Sequence, residues 1–387
     1  MVRHCFLFGV AFLVPWLGAC DRAQVSSLGM KPEAISVMQA APNLPAEPET
    51  VTLAGPPAPA PAPKESISRV VLVTIDGVRW QDVFGIGAPP SGADSSQSGP
   101  AMPGLLRLVQ SSGVALGSRE ECGKVLVDGP SWVSLPGYLE IFTGQRTPCS
   151  WNECPRTTQR TFMEEARTAF DSDTDVASIG SWDHLERAVS SEPDAFYVSS
   201  GTRYQSHAVR ATDEVFDGLV LDAQGHGGAP GGSPTYRPDD RTADIALAYL
   251  TTYRPRLLHI GFGDADEYGH QGDARAYLTS LHKTDAFFDR LEGVMAAWRK
   301  DGDKTTVIVT TDHGRAKNFR DHGFWAPESA RSFLVAFGDG APNAGIACAK
   351  RDVHVKEMGS IVHGILGTRL CDGVPCAPIE ELISAGP

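Results

Sequence analysis

Positive charge is scarce in this chain. Its 387 residues carry 34 Lys and Arg against 47 Asp and Glu, a formal net charge of -13. That balance excludes sequence-independent nucleic-acid binding, which needs Lys and Arg to neutralise phosphates. An anionic substrate must therefore be captured by local positive charge and not by the overall field. Beyond the first residues no apolar run is long enough to span a bilayer, and no internal repeat is present. Apolar residues are not scarce: 42% hydrophobic with 21% charged is ordinary globular composition, which excludes disorder over most of the length and suffices for a large core.

The first residues, MVRHCFLFGVAFLVPWLGACDRA, have a basic start at Arg3, an apolar run of secretory length and small residues leading into Cys20. LGAC, Leu17 to Cys20, resembles the lipobox of bacterial lipoproteins. The resemblance implies cleavage before Cys20, lipid on that cysteine, and an exported protein anchored at the periplasmic face of a bacterial membrane. A plain signal peptide cleaved near Ala19 is the alternative. A stretch rich in Pro, Ala and Glu follows, including GPPAPAPAPK, whose composition favours extended polyproline structure and cannot bury a core. The expected organisation is a signal peptide over 1–19, a linker over 20–65 and one globular domain over 66–387. Setting aside Cys5 and Cys20 leaves Cys122, Cys149, Cys154, Cys348, Cys371 and Cys376. Outside the cytoplasm these are expected as disulfides, but their pairing cannot be read from the sequence.

From about Ser66 short β-branched runs alternate with helical patterns. RVVLVTIDG (Arg69 to Gly77), RLLHIGFGDAD (Arg256 to Asp266) and TTVIVTTDHG (Thr305 to Gly314) are nearly uninterrupted apolar runs, as expected for strands buried on both faces of a parallel sheet. Between the last two, Leu278, Leu281, Phe288, Leu291, Met295 and Trp298 recur at helical spacing with Gly302 beyond them. This makes a strand, helix, strand crossover. MPGLLRLVQSSGV (Met102 to Val114) predicts a second helix and RSFLVAFG (Arg331 to Gly338) a further strand. The Gly-rich stretch Asp222 to Asp240 predicts a surface loop, since no GKS or GKT follows to make a phosphate cradle. The fold class is α/β, a largely parallel central sheet with helices on both faces, where ligands collect beyond the carboxyl ends of the strands.

Those ends carry Asp76, Asp266 with His270, and Asp312 with His313; His322 lies in a second Asp-His-Gly nine residues after His313's own. One such Asp is a common turn former. Several converging at one sheet edge would repel one another without a cation, and imidazoles beside them complete a nitrogen and oxygen ligand set suited to Zn²⁺ and its neighbours, Mn²⁺ included. GPSWVSLPGYLEIFTG (Gly129 to Gly144) supplies hydroxyls in Ser131 and Ser134, and a serine becomes a nucleophile when a metal lowers its pKa.

VTIDGVRWQDVF, SLPGYLEIFTG, DADEYGH, TTDHG, and HGFW followed by SFLVAFG occur in the order and approximate spacing of the alkaline phosphatase superfamily. They most resemble its nucleotide pyrophosphatase/phosphodiesterase branch, over Val70 to Gly338. The resemblance implies an alkaline phosphatase-like catalytic domain holding two divalent ions. Asp76, Ser134, Asp312 and His313 would hold one, and Asp266, His270 and His322 the other. Ser134, directly before LPGY, would be the nucleophile, and Asn152 in CSWNEC resembles the asparagine whose amide holds a phosphate oxygen. The implied activity is hydrolysis of a small phosphate ester, of diester or nucleotide type, through a phosphoserine. Asp264, His259, Arg146 and the remaining histidines match no motif position.

A monoesterase of the same superfamily is one alternative, and three further rivals stand beside it. A sulfatase signature resembles Cys or Ser, any residue, Pro, any residue, Arg, and here Tyr138 stands where Arg is required. Phosphoethanolamine-type transferases usually carry several transmembrane helices. A non-catalytic binding lipoprotein should have lost ligand positions, and none of the seven is lost.

Overall fold

In the computed structural model the described residues are 66–94, 99–202, 204–206, 218–220, 222, 235–368 and 378–384. The expected signal segment and linker, with Cys20, lie outside them, as do Cys371, Cys376 and most of the Gly-rich stretch.

The apolar run ending at Asp76 forms β1 (Ser68–Ile75). In chain order the other strands are β2 (Gly113–Leu116), β3 (Val125–Leu126), β4 (Val176–Gly180), β5 (Tyr197–Ser200), β6 (Tyr204–Gln205), β7 (Leu257–Phe262), β8 (Lys304–Thr310), β9 (Arg331–Ser332), β10 (Leu334–Gly338), β11 (Gly345–Ile346) and β12 (Val353–His354). Nine of them make one sheet in the order β11-β2-β10-β8-β1-β7-β4-β5-β6, and β12-β3-β9 make a small second one. Strands β8, β1, β7, β4 and β5 run parallel, with Leu72 of β1 opposite both His259 of β7 and Ile308 of β8. Antiparallel pairing enters at β10 and β6. The expected α/β fold with a largely parallel central sheet is the fold observed.

Alternating side chains of β1 feed two cores. Val71, Val73 and Ile75 point into one with the long helix Ala274–Lys300, while Val70 and Leu72 point into the other with the helices Ser134–Thr143 and Met358–Leu366. Burial on both faces explains why these strands read as apolar runs instead of alternating ones. The crossover between β7 and β8 is present: Asp273 caps Ala274–Lys300 by accepting from Ala276 N at 2.9 Å. The second expected helix spans Pro103–Ser112, with Pro at its first position where its missing N–H costs nothing.

RSFLVAFG is two strands instead of one. Arg331–Ser332 pairs with β3 in the small sheet, and Leu334–Gly338 joins the large one. The break falls at Phe333, whose carbonyl accepts from the Thr310 hydroxyl at 2.7 Å and whose ring is buried. As expected for these cysteines, disulfides join Cys122 to Cys348 and Cys149 to Cys154. Among the described residues no helix is long and apolar enough to cross a membrane.

Candidate metal centre

The carboxyl ends of β1, β7 and β8 bring three carboxylates together. Asp76 follows β1 directly, and its N–H still donates to Phe262 O of β7 at 2.9 Å. Gly77 then turns with φ +62°, and its N–H donates to Asp312 Oδ1 at 3.1 Å, beyond the end of β8. Asp266 lies in the helix Asp264–Gln271, which starts just after β7, and His270 one turn later places Nε2 3.0 Å from Asp266 Oδ2. All three carboxylates are at least 93% buried.

Ser134 opens the helix Ser134–Thr143. That helix docks tightly on the cluster because Gly137 has no side chain: a Cβ there would sit 2.3 Å from Asp312 O. The Ser134 hydroxyl donates to Asp76 Oδ1 at 3.2 Å and lies 3.4 Å from His313 Nε2. Asn152 Oδ1 accepts from Leu135 N at 2.9 Å, so Asn152 is fixed against the first turn of the nucleophile helix. His322 reaches in from its loop, with Nδ1 3.1 Å from Trp132 O and Nε2 3.0 Å from His270 Nε2. Its ring stacks on His313 with centroids 4.0 Å apart.

Electrostatics sort these groups. Burial pushes Asp76 up to about 7, reinforced by Asp266, and burial with the Asp76 charge pushes Asp312 well above the carboxylate range. Burial would also raise Asp266, but Arg315 and then His322 and His270 outweigh it and hold it well below that range. Burial lowers His313 to about 4, and burial with His313 beside it lowers His322 to about 3. The bond to Asp266 raises His270.

The residues fit divalent cations. A carbonyl accepts from His322 Nδ1–H at Trp132 and from His313 Nδ1–H at Gly314 (2.9 Å); with both pKa values lowered by burial the rings are neutral, and Nε2 is the lone-pair nitrogen that each turns toward the cluster. Asp312 Oδ2 is buried with no hydrogen-bond partner, which is costly unless something positive meets it. Two groups of donor atoms lie within 4.8 Å of one another: Asp266, His270 and His322, and Asp76, Asp266 and His313. The first is one of the expected ligand sets. In the second, Asp266 stands where Asp312 was expected, although Asp312 Oδ2 is only 3.5 Å from His313 Nε2.

Two contributors have no motif in the sequence. Trp132 orients His322 through its backbone carbonyl, which no side-chain pattern can reveal. Arg315, with a fully buried side chain, bonds Asp266 Oδ1; its place two residues after His313 was the available signal. His259 is a satisfied core histidine, 2.9 Å from Thr74 Oγ1 and 2.8 Å from Ser178 Oγ. Asp264 accepts from Asp239 N at 3.3 Å, away from the cluster.

Comparison with known proteins bears on the fold. The sequence pattern of the Metalloenzyme superfamily matches residues 229–325, a span containing Asp266, His270, Asp312, His313 and His322. A candidate sulfatase of Bacteroides fragilis superposes over 85% of this chain and 81% of its own, with TM-score 0.55 at 12% identity. The fold is that of the alkaline phosphatase-like metalloenzyme superfamily. The phosphonate monoester hydrolase of Silicibacter pomeroyi shares this superfamily fold, with TM-score 0.53 at 13% identity over 83% of this chain and 77% of that one. So does a protein solved with its substrate D-glucosamine-2-N,6-O-disulfate, with TM-score 0.53 at 12% identity over 82% and 80%. In sequence, 80 residues are 34% identical to the 2,3-bisphosphoglycerate-independent phosphoglycerate mutase of Haloquadratum walsbyi (strain DSM 16790 / HBSQ001). That match spans 20% of this chain and 15% of the mutase.

Proposed function

We propose that the chain is a metal-dependent phosphoric ester hydrolase in which Ser134 is the nucleophile. The observation that carries this reading is the position of the Ser134 hydroxyl, inside the Asp76 and His313 donor group and at the start of a helix. Asp76, Ser134, Asp312 and His313 would hold one divalent ion, and Asp266, His270 and His322 the other; Zn²⁺ suits this donor set and Mn²⁺ is the alternative. Such a pair supplies Lewis-acid stabilisation of phosphoryl charge and lowers the pKa of a bound hydroxyl.

The remaining chemistry belongs to the chain. Ser134 Oγ attacks phosphorus as the ester oxygen departs with its electron pair, and the hydroxyl proton leaves along the bond to Asp76 Oδ1. Water then attacks the same phosphorus: its oxygen stays on phosphorus, a proton returns to Ser134 Oγ to restore the hydroxyl, and the product is a phosphate monoester when the substrate is a diester. Asn152, with Oδ1 committed to Leu135 N, has its Nδ2 donors for an equatorial phosphoryl oxygen, where charge accumulates.

Two features favour a diester or nucleotide. Trp151, adjacent to Asn152, is 68% exposed, and Phe324 and Trp325, just after His322, are 59% and 90% exposed; such apolar surface suits a second substituent. Arg315, a buried cation of the cluster, already bonds the Asp266 carboxylate and three carbonyls and so is not placed to bond a terminal phosphate directly. Against a sulfatase, Tyr138 is buried against Phe142 and Trp182 at the position that calls for Arg. Lipid on Cys20 would place this activity at the periplasmic face of a membrane.

The test compares p-nitrophenyl phosphate with a p-nitrophenyl phosphodiester on the zinc-loaded protein, before and after chelation. The expected result is faster diester turnover that chelator abolishes and Zn²⁺ restores. Truncation of Trp151 or Trp325 to Ala should raise KM for the diester and leave the monoester unaffected. Turnover that survives chelation would overturn the proposal.

A further inference from the structure

A guanidinium is built into the acidic cluster. Arg315 Nε donates to Phe319 O at 2.7 Å, Nη2 donates to Arg320 O at 3.0 Å and Asp266 O at 3.4 Å, and Nη1 donates to Asp266 Oδ1. Two glycines make room for it. A Cβ on Gly269 would lie 2.3 Å from Arg315 Cζ, and one on Gly77 would lie 2.7 Å from Nη1. Carbonyl anchors, full burial and cleared space make Arg315 a resident of the site and not a side chain swung in from the surface.

Asp266 is the carboxylate shared by both donor groups, and it is the one that carries this permanent positive partner. Two divalent ions against Asp76, Asp266 and Asp312 leave one positive charge in excess; with Arg315 the excess is two. We propose that Arg315 compensates the charge of Asp266, so that the ion held by Asp266, His270 and His322 binds less tightly and the loaded cluster keeps extra positive charge for a phosphoryl anion. This inference rests on the metal-dependent hydrolase reading. A cation a few ångström from a divalent ion changes affinity by about tenfold even with water-like screening, and more in a buried site.

The charge role has a signature that a packing role lacks: metal and anion affinities move in opposite directions. Arg315→Met and Arg315→Lys are compared with the wild type by competition titration of Zn²⁺ against a chromophoric chelator, then by titration of the zinc-loaded proteins with inorganic phosphate. The expected results are two bound ions in the wild type with the second weaker, and about tenfold or more tighter second-ion binding in R315M. Phosphate should bind R315M about tenfold more weakly, and R315K should stay near the wild type on both measures. A second ion bound equally or more weakly in R315M would overturn the inference in favour of mere positioning of Asp266. If R315M does not fold, R315K decides: wild-type affinities despite loss of the guanidinium's carbonyl bonds support the charge role, and loss of the second ion overturns it. A wild type that binds no Zn²⁺ would overturn the hydrolase reading itself, and the inference with it.

Discussion

Gly77→Ala is the smallest change aimed at the architecture of the site. Gly77 holds φ +62°, a left-handed conformation that costs an L-residue about 1–2 kcal/mol. The added Cβ would also meet Asp266 Oδ1 at 2.1 Å, Arg315 Nη1 at 2.7 Å and Asp266 Cγ at 2.8 Å. None of these is the free end of a flexible chain, since Asp266 and Arg315 are locked to one another and to carbonyls. Overpacking of this kind adds about 1–3 kcal/mol. Gly77→Ala should therefore lose about 2–5 kcal/mol of stability in urea unfolding. Because the clash falls on the carboxylate common to both donor groups, the folded variant should also carry less zinc per chain than the wild type after identical loading. A variant with wild-type stability and full zinc content would refute this account of how the cluster is built.

Other perturbations separate the site from its scaffold. Glu140, buried in the nucleophile helix and accepting from Asp128 N at 2.8 Å, is pushed by burial from the ordinary 4.5 to about 7. Its contribution to stability is thus complete below about pH 4.5 and lost as pH rises through about 7. Glu140→Gln should flatten the stability profile between pH 5 and 8 by about 3 kcal/mol, and parallel profiles for variant and wild type would contradict the burial argument. Replacing Cys122 and Cys348 by Ser opens a link between residues 226 apart and should cost roughly 2–5 kcal/mol while leaving zinc content intact; unfolding unchanged by the substitution would argue against the bond.

The sequence made the site legible where chemistry coincides with strand ends. Asp76 and Asp312 stand at the close of apolar runs, and a strand buried on both faces has no other way to be written. Asp266 and His270 were recognisable because one helical turn separates them. The sites that escaped are those held by the backbone or by a lone residue. Trp132 acts through its carbonyl, and only its place two residues after His313 sets Arg315 apart in sequence from a surface arginine; its role emerges once Gly77 and Gly269 are seen to clear its place. RSFLVAFG read as one strand because periodicity is blind to a residue such as Phe333, where the chain leaves one sheet for another. The pairing of Cys122 with Cys348 depends on three-dimensional proximity alone.

Acid quenching during turnover, followed by mass spectrometric mapping of the phosphopeptide, tests the central claim most directly when Ser134→Ala is carried beside the wild type. The account predicts phosphate on Ser134 in the wild type, and in Ser134→Ala no turnover with zinc content nearly unchanged. Full activity in Ser134→Ala, or phosphate trapped on another residue, would contradict it.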